Sequence, residues 1–94
     1  MAADKPEDVF LKYAIALEHV SLNDYEAAEK TFEWLVSKHP NYLPTYYQYG
    51  QLLDAREQKE KALKIYTEGI ALAATLRDYK TARELQQAME LLQD

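Results

Sequence analysis

Two histidines, two glycines and a short group of lysines are the residues whose types could support chemistry, and their spacing assigns none of them a reaction. His19 and His39 fall on different helical segments. Neither belongs to a His-Glu-x-x-His pair, which would put two imidazoles on one helix face around a metal. They read instead as a half-exposed side chain at an open edge and as a cation that suits the last turn of a helix. The absence of Cys removes disulfides, thiolate metal ligands and thiol nucleophiles together. Gly50 and Gly69 each stand alone in helical surroundings, so they read as packing glycines and not as a phosphate-cradling loop. Lys59, Lys61 and Lys64 form a small basic cluster, but Glu57, Glu60 and Glu68 are interleaved with it. Eleven basic against 16 acidic residues leave a net charge of −5, which repels a phosphate backbone. The expectation is a protein with no catalytic residue, no metal, no cofactor and no nucleic-acid partner, and therefore not an enzyme.

The elements that would position any site are helical. Gly is nearly absent, Ala and Leu are abundant, and apolar residues recur at helical spacing, which leaves little from which to make strands. At 94 residues the chain has room for one domain, 1–94, and excludes a multidomain enzyme. No run approaches the ~20 apolar residues that span a bilayer, and the acidic opening lacks the apolar core of a signal peptide. A soluble, cytoplasmic protein without a membrane partner is expected, and zero Cys fits a reducing compartment. Five segments separate at breaker signals. The first runs from about Pro6 to Val20 and stops at Ser21-Leu22-Asn23-Asp24, which offers Asn23 or Asp24 as the next N-cap. The second spans about Tyr25 to Lys38 and is ended by Pro40, which pushes His39 out of helical geometry. The third covers about Leu43 to Ala55, with Pro44 tolerated in the first turn, and the fourth and fifth cover about Lys59 to Thr75 and Tyr79 to Leu92. Loops this short force successive helices antiparallel.

An internal repeat is the strongest signal. Laying Ala16 on Gly50, an offset of 34 residues, also brings Ile15 onto Tyr49, Ala28 onto Ala62, Lys30 onto Lys64 and Phe32 onto Tyr66. Small residues recurring in register mark the points where two helix axes approach closely, and the aromatics one turn further on fill the wider gaps. In these residues the chain resembles the tetratricopeptide repeat family. Tyr46-x-x-Tyr49-Gly50-x-x-Leu53 is similar to the family's first-helix motif, and Ala62-x-x-x-Tyr66 and Asp24-Tyr25-x-x-Ala28-x-x-x-Phe32 are similar to its second-helix motif. The resemblance implies an all-α, right-handed superhelix of two hairpins, with repeat one at about 9–42 and repeat two at about 43–76. A capping helix at about 79–92 would cover the fourth helix with Ala82, Leu85, Ala88, Met89 and Leu92. Ile15, Ala16 and Ile70 are expected in the core with the repeat's other small and aromatic residues. Lys12 and His19 replace large apolar residues usual in the family, which suits an N-terminal edge with no preceding unit.

The resemblance also implies a function, a non-catalytic module that binds a partner protein or peptide. On a helical wheel Phe10, Tyr13, Ala14 and Leu17 share one arc of the first helix, and Leu11 and Ile15 make a second apolar side. The family's geometry places Phe10, Tyr13 and Leu17 on a concave groove, to which the third helix adds Tyr47, Gln48, Gln51 and Asp54. Apolar contact with orienting amides suits a peptide. Three uses stay open for the stripe on the first helix: a peptide or protein ligand, self-association into a homodimer, and cover by the chain's own N-terminus. Trp34 stands at a position that is usually polar, where it could stack on the stems of Lys30 or Lys38 or mark a second contact. Many family members grip a C-terminal carboxylate with Lys, Arg and Asn on groove positions. Tyr13, Leu17, Gln48 and Gln51 stand there instead, which speaks against such a clamp.

Overall fold

Five α-helices make up the described residues, 7–93, in a computed structural model. They are α1 (Glu7–Ser21), α2 (Tyr25–Lys38), α3 (Pro44–Ala55), α4 (Lys59–Thr75) and α5 (Tyr79–Gln93). The spans of α2 and α4 follow the sequence signals end for end, and α3 starts at Pro44, one residue later than expected. The role anticipated for Pro6 lies outside the described residues.

The ends of the helices have local causes. Asp24 caps α2 by accepting a hydrogen bond from the Ala27 amide at 3.4 Å, and His39 closes it with its amide on the Leu35 carbonyl at 2.8 Å. Asn23, Glu57 and Arg77 each adopt a left-handed backbone, with φ of 62°, 61° and 61°. At each of the three, that residue's amide and the next one reach back to two carbonyls of the helix just ended, the pairing of a Schellman turn. The amides of Ala28, Ala62 and Ala82 then close the first turn of the following helix on the carbonyls of Asp24, Gln58 and Asp78. One turn therefore makes three hairpins, α1–α2, α3–α4 and α4–α5. At the third, Asp78 accepts from both the amide and the hydroxyl of Thr81, at 3.1 and 2.8 Å, and these bonds hold its carboxyl below the ordinary 3.8.

The chain divides into two compact units, Met1–Thr45 and Tyr46–Asp94. In the first, α1 packs on α2, and Ala16, Ala28, Phe32 and Leu35 are fully buried. Ile15 does not join them. It is 45% exposed, because the residue that α1 turns inward is Ala16, ~100° further round the helix. Lys12 is exposed and holds its ammonium over the Trp34 ring, 4.9 Å from the centroid, while His39 lies 5.4 Å from the same ring. A cation over Trp34 thus comes from α1. Thr45 is fully buried, and its hydroxyl has no hydrogen-bond partner among the described residues. An unpaired buried hydroxyl carries a desolvation penalty, so Thr45→Val, which keeps the shape, is expected to raise stability by about 1 kcal/mol. Thermal unfolding checks this, and a lowered Tm would mean that the hydroxyl is paired in solution.

In the second unit α3 packs on α4 and α4 on α5. The core holds Tyr46, Tyr49, Leu52, Leu53, Ala62, Ile65, Tyr66, Ala73, Leu85 and Leu92. Ile70 is only half-buried, and Ile65 and Gly69 take the enclosed positions on α4. Both glycines have φ outside the left-handed region, so close approach is what they serve. A Cβ on Gly50 would run into the Tyr66 ring, and one on Gly69 would lie 2.7 Å from the Tyr46 Cβ and 3.1 Å from the Leu85 Cδ1. The expected stripe of α5 is seated as drawn, with Leu85 and Leu92 buried and Ala82, Ala88 and Met89 half-buried.

Candidate functional site

A hollow of about 310 Å³ opens in the second unit between α3, α4 and α5. From α3 it takes Tyr47, Gln51 and Asp54, which helical spacing aligns on one face. Tyr66 of α4 forms part of its wall, and Glu84, Gln87, Ala88 and Leu91 of α5 complete it. The Gln51 amide donates to the Tyr47 hydroxyl at 3.2 Å and also hydrogen-bonds the Tyr66 hydroxyl, so one amide ties the two phenols together. Burial pushes the Tyr66 phenol up to about 12, helped by the neighbouring Tyr47 and Asp54 and opposed by the Gln51 hydrogen bond. The lining offers phenols, amides, carboxylates and a small apolar area. These groups can hydrogen-bond, pack and attract cations, but they include no nucleophile paired with a base.

Three of the residues singled out in the sequence, Tyr47, Gln51 and Asp54, meet in this hollow. Gln48 is half-buried and does not line it. Phe10, Tyr13 and Leu17 belong to α1 in the first unit. There Phe10 is 61% exposed and Leu17 half-buried, and Tyr13 meets the edge of Tyr42 with ring centroids 5.5 Å apart. Leu11 on the same helix is also exposed, and Leu22 beyond its end is 66% exposed. Sequence reasoning missed Tyr66, Glu84, Gln87 and Leu91 as site residues. It assigned α5 to covering the core, and only the unburied side of that helix, polar apart from Tyr79 and Leu91, hinted at more. Among the described residues no group of three or more His, Cys, Asp or Glu is placed to hold a metal ion, and no helix is long and apolar enough to cross a membrane.

Among solved structures, the solution structure of a tetratricopeptide repeat domain protein from Salinibacter ruber superposes with a TM-score of 0.88 at 35% identity, covering 95% of this chain and 90% of that one. The chain belongs to the tetratricopeptide repeat family. A crystal structure of a tetratricopeptide repeat domain protein from the same organism agrees, with a TM-score of 0.86, 33% identity and coverage of 90% and 96%. No family model and no curated protein matches the sequence. Tetratricopeptide repeat domains are generally protein–protein interaction modules and typically non-catalytic. One of the two tight contacts in the second unit joins two motif positions of the repeat. Gly50 holds the small-residue position of the first-helix motif, and Tyr66, on whose ring its Cβ would fall, holds the aromatic position of the second-helix motif.

Proposed function

We propose that this tetratricopeptide repeat domain is a non-catalytic module that binds a partner peptide or protein. The second unit would engage it through Tyr47, Gln51 and Asp54, with Gln48 beside them on α3, and the first through Phe10, Tyr13 and Leu17. The hollow of the second unit carries this reading, because its polar groups converge on one concavity with an aromatic in its wall. On α1 the support is energetic. A large apolar side chain left in water forgoes roughly 1.5 to 3 kcal/mol, and exposed patches of such residues mark interfaces.

The test is Tyr13→Ala combined with Tyr47→Ala, read by titration of a pull-down partner and by the Tm of the free protein. Hot-spot behaviour predicts at least about 2 kcal/mol lost in binding, with little change in Tm. Unchanged affinity would move the contact elsewhere, to the surface around Trp34 and Lys12. A second reading, self-association into a homodimer, rests on Phe10, Leu11 and Ile15 lying exposed on one helix. Light scattering separates the two, since a dimer that Leu11→Glu dissociates supports self-association and a concentration-independent monomer removes it.

A further inference from the structure

We propose that the hollow between α3, α4 and α5 recognises a cationic side chain of the partner, with arginine preferred over lysine. This rests on the reading of that hollow as a peptide site. Its lining carries two carboxylates, Asp54 and Glu84, and no basic residue, while two amides and two phenols supply the rest of its polarity. Its volume of about 310 Å³ lies at the lower end of the ~300 to 1,000 Å³ that ligand sites occupy, which suits one long side chain better than a cofactor. Asp54 raises the Tyr66 phenol pKa, so its negative charge is felt at the largely buried wall as well as at the rim.

The two carboxylates come from different helices and face one concavity, where a cation would be attracted to both. Arginine fits this set better than lysine for three reasons. Its fork donates to carboxylates in a bidentate manner, its plane stacks on phenol rings, and it sheds water more readily. Leu91, 75% exposed, and Ala88 offer apolar cover to the alkyl stem below the charged head. A net charge of −5 adds a long-range pull on basic peptides and a like-charge penalty on acidic ones.

The experiment uses four pools of acetylated, amidated heptapeptides, with randomised neutral flanks and a fixed central Arg, Lys, norleucine or Glu. Affinity is read by fluorescence polarisation, and location by amide shifts of the isotopically labelled full chain. The Arg pool is expected to bind tightest and the Lys pool next, with norleucine and Glu weaker than Arg by at least about tenfold. Shifts should centre on Gln51, Glu84 and Gln87. Glu84→Gln with Asp54→Asn removes both charges and keeps the shape. Both residues are exposed, so the fold should survive, and the variant should lose the preference for Arg over norleucine. Equal binding of the Arg and norleucine pools, or tightest binding of the Glu pool, with shifts at the same residues would overturn the cationic preference and leave the peptide site standing. Absence of shifts at those residues with every pool would overturn the peptide site itself, and the preference with it.

Discussion

A chain ended after Leu76, and so lacking α5, is expected to lose its cooperative thermal transition and to aggregate. Leu85 and Leu92 are buried, and each such side chain returned to water forgoes roughly 1.5 to 3 kcal/mol. Half-buried Ala82, Ala88 and Met89 add to that loss, and the α4 surface that they cover is exposed at the same time. A domain of this length has about 5 to 14 kcal/mol of total stability, so the deletion removes a large share of it. Differential scanning calorimetry with a dye that reports exposed apolar surface checks the expectation. Leu85→Ala in the full chain should cost about 2 to 5 kcal/mol by the cavity it leaves. A truncated chain that kept the full-length Tm and solubility would show that α5 is not needed to cover α4.

Gly50→Ala carries the second large effect, and its sign is the informative part. In a helix interior the change is worth about 1 kcal/mol in favour of Ala, and no positive φ stands in the way. The added methyl, however, lands on the Tyr66 ring, which is 2% exposed and tied at its hydroxyl to Gln51. Overpacking of this kind typically costs about 1 to 3 kcal/mol, and here three ring atoms are approached at once. The net expectation is a loss of about 2 kcal/mol, or a fall in Tm on the order of 10 °C. In a Tyr66→Ala background the obstacle is gone, and Gly50→Ala should become stabilising. The same substitution at Gly69 meets the Tyr46 Cβ, which is fixed to its own backbone and cannot rotate aside. If Gly50→Ala stabilised the wild-type chain, the close approach of α3 and α4 would be wrong.

Both predictions concern features that the sequence already carries. The 34-residue register already pointed to Gly50 and Ala62 as places where helices approach and to Tyr66 as the aromatic beyond them. Pro40, Pro44 and Asp24 placed the helix ends through effects confined to one or two residues: a missing amide hydrogen, a restricted neighbour and a capping carboxylate. The stripe of α5 was equally legible, because a buried face must recur at helical spacing whatever it packs against.

The sequence by itself determined which residues are helical, where each helix stops and which positions must be small, since all three follow from local sterics and periodicity. It also ruled out disulfides and thiol chemistry, because the chain has no Cys. Only the tertiary structure decided which faces meet. A helical wheel gives the angle of a side chain but not its neighbour, so Ile15 drew as core and is exposed, and Lys12 drew as an edge residue and stands over Trp34. The left-handed turns at Glu57 and Arg77 carry no Gly or Asn to announce them. The turn at Arg77 swings α5 back onto α4, which brings Glu84 and Gln87 to the hollow beside Asp54 and Gln51, residues far apart in the chain. The acidic character of that hollow is a sum over two helices, α3 and α5, and a property of that kind exists only once the chain has folded.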